Sequence, residues 1–157
     1  MRRYTHFMTH TLIICVGNVA RGDDAVAHRV ARLLSAEDAG LALPQDARLL
    51  SAVGLDISMA ADVGACAVLL IVDAERRAAP AVQIRELKPG TAAHSGHAID
   101  APGLLAITLA LYGAAPLALL ISVAAPEMGH DVVLSHIAEA ASQEAAAVVR
   151  DLCSDLG

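Results

Sequence analysis

The chain has 157 residues, a formal charge of −6 and a strongly aliphatic composition, with no tryptophan, one phenylalanine and two tyrosines. This length suits a domain with its own buried core, and the negative charge with scattered basic residues argues against nucleic-acid binding, which needs a basic surface. Three widely spaced cysteines do not form a disulfide framework or a zinc cluster, so they indicate a reduced, cytoplasmic protein.

Residues 1–10 lack the apolar core of a signal peptide, so we expect a loose N-terminal leader and a single α/β domain over residues 11–157. The domain begins with the apolar run Leu12–Val16, whose branched side chains favour a buried strand. An apolar stripe starting at Val26 predicts a helix. Strand, loop and helix therefore follow one another, and open α/β sheets usually bind their ligands at such a loop.

Two adjacent acids, Asp23 and Asp24, end this first loop. An acid at the start of a helix commonly caps it, because the carboxylate accepts backbone N–H bonds and complements the helix dipole. We expect one acid to cap the first helix. The other then has no structural task and is a candidate site residue.

A third acid, Asp73, follows the nearly continuous apolar run 67–72, which predicts a central strand buried on both faces. Before it, residues 47–53 predict a second strand, and a short helical stretch ends near Gly64. Asp73 alone is compatible with a simple turn. Because parallel strands end at the same edge of a sheet, however, we expect Asp73 to lie near Asp24.

The rest of the chain predicts an edge strand over residues 82–87 and two further elements in the uncharged stretch 101–126. That stretch is long enough to cross a bilayer, but a Gly-Ala-Ala-Pro break and acidic flanks favour a buried helix, with Leu109 and Tyr112 on its apolar face, followed by a buried strand.

The final helix is predicted to start at the cap Ser135 and to turn four residues inward. These are Ile137, Ala141, Val148 and Leu152. In the loop before it, Glu127 and His130 are more simply explained as solvated residues than as site residues.

His94 and His97 lie in a polar loop before the helix that follows residue 100. Asp24, Asp73 and one of these histidines form a mixed ligand set that suits nickel, zinc or manganese and leaves coordination positions open. No phosphate-binding glycine loop and no serine-nucleophile motif is present.

Three segments, 15–24, 71–74 and 95–105, together resemble the hydrogenase maturation endopeptidases, which trim the C-terminus of the nickel-iron hydrogenase large subunit. The resemblance runs from about Thr11 to the final helix. It implies a three-layer α/β/α sandwich with a twisted, mostly parallel five-stranded sheet and helices on both faces.

The resemblance also implies the site. Asp24, Asp73 and His97 match the family's metal-contacting residues, and either acid is a candidate for the catalytic base. The first loop is expected to contact the substrate through Gly17, Asn18, Gly22 and Asp23. The nickel belongs to the substrate, a hydrogenase large-subunit precursor, so no organic cofactor, nucleic acid or membrane is expected as a partner.

Ala25 and Ala27 stand where this family usually has glycine, which questions a loop geometry with positive φ. A non-catalytic, nickel-binding, chaperone-like relative that docks on the hydrogenase subunit is therefore an alternative. A small-molecule α/β enzyme that binds an anion in the first loop is a third, disfavoured by the missing phosphate-binding glycines.

Overall fold

The computed structural model describes residues 9–35, 42–91, 94–95, 98–130 and 133–157. For residues 94 and 95 it describes the backbone alone. The first eight residues of the predicted leader and the candidate ligand His97 lie outside the described residues.

Most predicted elements are present with bounds within about two residues of those expected. In chain order they are β1 (Thr11–Val16), α1 (Val26–Ser35), β2 (Ala47–Ala52), α2 (Ala60–Gly64), β3 (Val68–Glu75), β4 (Val82–Leu87), β5 (His94–Ser95), β6 (Ala98–Ile99), α3 (Ala101–Tyr112), β7 (Leu117–Ala124) and α4 (His136–Leu156). Two 3-10 turns, Gly22–Ala25 and Ile57–Met59, lead into α1 and α2.

Five strands form the main sheet in the order β2-β1-β3-β7-β4. The first four are mutually parallel. β4 lies at the edge, as predicted, and pairs antiparallel with β7. The segment predicted as a plain loop before α3 instead contains a two-stranded antiparallel ribbon, β5 and β6. The sequence did not predict this ribbon, because each strand is only two residues long and lies among polar turn residues.

The sheet is covered on both faces, which confirms the predicted three-layer sandwich. Ile13 and Cys15 of β1 belong to the core formed with α1 and α4, whereas Leu12, Ile14 and Val16 belong to the core formed with α2 and α3. All six residues of β1 are buried. This double burial is the reason why the strand sequence is continuously apolar.

The buried face of α4 differs from the predicted one. Ile137 is 45% exposed, and the prediction that it points inward is wrong. The buried positions are mostly small: Ala138, Ala141, Ser142, Ala145, Ala146, Val149 and Cys153. Small side chains allow α4 to approach α1 and the sheet closely. The predicted cap is confirmed, because the Ser135 side chain accepts a bond from Ala138 N–H.

The uncharged stretch forms α3 and β7, as predicted. The predicted inward face of α3 holds for Leu104, Leu105 and Thr108, but Leu109 and Tyr112 are about half exposed. Gly113 ends the helix at a φ of 76°, a left-handed conformation that favours glycine. No helix in the part of the chain that the structure describes has the length and apolar character needed to cross a membrane.

The two ends of the described chain meet at the edge of the sheet where β1 begins. There the His10 Nε2–H donates to the carbonyl oxygen of Leu156 at 2.6 Å. On one side of the sheet, Arg29 of α1 forms an ion pair with Glu139 of α4 at 2.9 Å.

Candidate active site

The first loop leaves the carboxyl end of β1 and folds back on itself. Gly17 N–H continues the parallel ladder by donating to Ala52 O at 3.0 Å. A Cβ on Gly17 would lie 2.0 Å from the main-chain oxygen of Asp24, so a side chain cannot fit there. Gly22 has a φ of 57°. The two predicted loop glycines therefore serve a close approach and a left-handed turn.

Asn18 connects the start of this loop to its end. Its side-chain oxygen accepts from Ala20 N–H at 2.9 Å, and its own N–H donates to Asp24 Oδ2 at 3.1 Å. The partly buried Asp24 carboxylate is therefore oriented by a backbone donor. Asp24 does not cap a helix: the cap position of the 3-10 turn is Arg21, which makes no side-chain capping bond.

Asp73 lies beside this loop, near the end of β3, where it pairs in register with Val16 of β1. Burial raises the pKa of the Asp73 carboxyl from its ordinary 3.8 to about 6. A hydrogen bond from Ala74 N–H opposes this change, whereas the negative charges of Asp24 and Glu75 add to it. The structure thus brings Asp24 and Asp73 close enough to repel each other, as expected from the strand ends.

Asp73 lines a cleft of about 470 Å³ on the α3 side of the sheet. Residues 98–102, which immediately follow His97 in the chain, line the same cleft, and Arg85 of β4 contributes a positive charge. Asp100 caps α3 by accepting from Gly103 N–H at 2.8 Å. Within the described ranges, no group of three or more His, Cys, Asp and Glu side chains is arranged to hold a metal.

Asp23 has a different environment from its neighbour. Its side chain is fully buried, and its carboxylate accepts from Glu127 N–H at 2.8 Å, Ser135 N–H at 2.7 Å and Ser135 Oγ–H at 2.7 Å. The expectation that an acid caps the first helix is therefore wrong. Asp23 instead binds the start of α4, so it joins the first loop to the last helix.

His28 makes a contact with the first loop that was not predicted from the sequence. Its Nε2–H donates to the carbonyl oxygen of Gly17 at 2.6 Å, and its ring lines a second cavity of about 670 Å³ on the α1 side of the sheet. Sequence shows it only as a polar position outside the apolar stripe. No local pattern indicates its partner, because the acceptor is a backbone carbonyl oxygen 11 residues earlier in the chain.

Arg77 is one of the scattered basic residues of the sequence, yet its side chain is only 13% exposed. It forms an ion pair with Glu75 and donates to Ser122 Oγ at 3.0 Å and Ser122 O at 2.8 Å. These contacts fix the end of β3 against β7. Glu127 and His130 are exposed, in agreement with the solvated interpretation.

Two carboxylates, one in the first loop and one near the end of β3, can serve in either of two ways. A carboxylate with a pKa near 6 can take a proton from water at neutral pH more readily than an ordinary aspartate. Two carboxylates also provide oxygen ligands for a divalent ion. Such a pair is an incomplete set, so it suits a metal that brings other ligands with it.

Comparison with known proteins shows which solved structures have a similar fold. No protein-family model and no curated protein matches the sequence. Among solved structures, a hydrogenase maturating endopeptidase from E. coli is similar over 94% of this chain and 94% of its own, with a TM-score of 0.75 and 22% identity.

Two archaeal structures have the same fold. A [NiFe] hydrogenase maturation protease from Thermococcus kodakarensis is 20% identical over 93% of each chain, with a TM-score of 0.68. A hydrogenase 2 maturation peptidase from Thaumarchaeota archaeon SCGC_AB-539-E09 is 21% identical over 92% of this chain and 98% of its own, with a TM-score of 0.66. The resemblance noted in the sequence therefore holds for the fold along nearly the whole chain.

Proposed function

We propose that this chain is an endopeptidase that removes the C-terminal extension of a nickel-loaded hydrogenase large-subunit precursor. The observation that carries the proposal is the meeting of Asp24 and Asp73 at the carboxyl edge of a sheet whose fold is that of solved hydrogenase maturation proteases. A cytoplasmic location remains a prediction of the cysteine pattern.

In this proposal Asp24, Asp73 and His97 contact the nickel of the substrate. The described chain supplies two carboxylates near each other, and the cleft beside Asp73 is lined by the residues that directly follow His97. An incomplete ligand set binds free metal weakly, but it adds ligands to a metal that already has several. Nickel loading of the precursor then becomes the condition for cleavage.

Asp73 is our candidate for the base that activates water. Its raised pKa, about 6, brings it closer to neutral pH than an ordinary aspartate. Asp24 is oriented by the Asn18 N–H and is better suited to a fixed ligand position. The cleft at Asp73 offers the space in which the substrate chain would approach this carboxylate.

The Ala25 substitution does not weaken this proposal. In the described ranges no residue other than glycine has a positive φ, so Ala25 occupies its position without backbone strain. Its place at the junction of the 3-10 turn and α1 is compatible with alanine. The doubt about loop geometry, which was the support for a chaperone-like relative, therefore has no basis in the backbone.

The test is cleavage of nickel-loaded precursor followed by intact-mass measurement. Wild type is expected to remove the extension, whereas Asp24→Asn, Asp73→Asn and His97→Ala are expected to fail while remaining folded. Asp151→Asn is the matched control for the acid variants, because Asp151 is exposed near the C-terminal end of α4.

Two outcomes would contradict the proposal. If wild type cleaves precursor without nickel as efficiently as loaded precursor, the nickel contact is wrong. If wild type binds the loaded precursor and leaves its mass unchanged, the chain is a docking protein instead.

A further inference from the structure

A single peptide group, the one between Gly17 and Asn18, links His28 to the Asp24 carboxylate. Its carbonyl oxygen accepts from His28 Nε2–H at 2.6 Å, and its N–H donates to Asp24 Oδ2 at 3.1 Å. Because a peptide group is planar, fixing the direction of its oxygen also fixes the direction of its N–H. The orientation of the Asp24 carboxylate therefore depends on the hydrogen bond between His28 and the Gly17 carbonyl oxygen.

The proton in this chain of bonds can be assigned. A carbonyl oxygen only accepts, so Nε2 of His28 carries the hydrogen in both the neutral and the charged imidazole. Consecutive hydrogen bonds through one peptide group polarise each other, which strengthens donation to the carboxylate. Nε2 is thereby committed to the main chain and is not available as a metal ligand.

The surrounding contacts leave the peptide group little freedom. Gly17 packs so closely on Asp24 that a Cβ would lie 2.0 Å from the main-chain oxygen of Asp24. Gly17 N–H is also held by Ala52 O at 3.0 Å. His28 itself is fixed on α1 one turn after Asp24, so a rigid helix supplies the donor.

We propose that His28 is a positioning residue: by holding the Gly17 carbonyl it directs Asn18 N–H at Asp24 and sets the direction in which the free carboxylate oxygen points. Its effects on cleavage and on metal affinity rest on the proposed function, whereas its effect on the loop does not. His28 has no need to touch the substrate in this role.

The chain offers matched variants for a test. His28→Gln retains a terminal N–H donor on a side chain of similar reach, and His28→Leu removes the donor. Arg32→Gln is the control, because Arg32 is exposed on the next turn of α1 and lines the same cavity. If His28→Leu does not fold, His28→Met replaces it.

Three readouts separate the roles: hydrogen exchange of the Asn18 amide, affinity for Ni²⁺ alone measured by calorimetry, and cleavage of loaded precursor. We expect His28→Leu to accelerate Asn18 exchange and to lower both Ni²⁺ affinity and cleavage by about 10-fold or more, the usual effect of removing a residue that orients a metal ligand. His28→Gln should restore most of the loss, and Arg32→Gln should change nothing.

The inference is overturned if His28→Leu leaves Asn18 exchange and Ni²⁺ affinity within about twofold of wild type. It is also overturned if His28→Gln loses as much as His28→Leu, since His28 would then matter only for packing. If no protein cleaves precursor but exchange and Ni²⁺ affinity respond as expected, the positioning role stands and the proposed peptidase function fails.

Discussion

Replacing Asp73 by asparagine is expected to stabilise the fold above about pH 6 and to abolish the proposed cleavage. Burial is the main reason why the pKa of Asp73 is higher in the folded chain than its ordinary 3.8, and the negative charges of Asp24 and Glu75 raise it further. The folded chain therefore binds the Asp73 proton more tightly than the unfolded chain, so ionisation weakens the fold. This penalty is absent below about pH 3.8, grows towards about pH 6 and is constant above it.

The size of the effect follows from the same values. A pKa of about 6 against 3.8 corresponds to at most about 3 kcal/mol at about 1.36 kcal/mol per pH unit. Asp73 is partly exposed, and solvent screening reduces this to about 1–2 kcal/mol. Asparagine retains the shape and an oxygen for Ala74 N–H but carries no charge, so Asp73→Asn should regain that amount.

Urea unfolding of wild type and Asp73→Asn at about pH 4.5 and about pH 8 measures the difference directly. The gain should be full at the higher pH and smaller at the lower one. Asp151→Asn, at an exposed position, should show no gain in stability at either pH. The reasoning is refuted if Asp73→Asn is no more stable than wild type at about pH 8, or if its gain does not shrink on acidification.

Further predictions concern the loop and the cores. Gly17→Ala should destabilise the fold by about 1–3 kcal/mol in urea unfolding and stop cleavage, because its Cβ collides with the main-chain oxygen of Asp24; Gly129→Ala, with nothing within 4 Å of its Cβ, should do neither. Asp23→Ala should cost about 3 kcal/mol, since three partly buried donors lose their acceptor. A loss no larger than that of Asp24→Ala would contradict the structural role of Asp23. All three cysteines are free and buried, and burial raises the pKa of each thiol to about 11 or 12. A thiol reagent at about pH 8 should therefore label no cysteine until the chain is unfolded. Rapid labelling of the native protein would show that the cores open in the folded state.

The sheet and the meeting of two acids could be predicted because both depend on local pattern. Continuous apolar runs identify strands buried on two faces, and parallel strands deliver their last residues to one edge. Asp24 and Asp73 follow from those two rules. The buried face of α4 could not be predicted in this way, because its buried positions are largely alanine. The larger Ile137, which is exposed, was therefore wrongly placed on the predicted buried face.

The roles of Asp23 and His28 could not be predicted, for different reasons. Asp23 binds Ser135, which is 112 residues away along the chain, and no local pattern reports such a partner. His28 acts on a backbone oxygen of Gly17, and an acceptor of that kind exists in every residue and leaves no mark in the sequence. Adjacent acids thus look alike in the sequence, although Asp23 binds the start of α4 and Asp24 accepts from Asn18 N–H.

The bond between His10 and Leu156 also has a practical consequence. Since β1 begins next to His10 and the first loop leaves its far end, His10 and the end of α4 lie at the side of the sheet opposite Asp24. A surface anchor, dye or fused reporter attached after Gly157 would leave the carboxyl edge open to a large folded substrate. Docking could then be followed on an immobilised or labelled protein without obstructing the face where the precursor would bind.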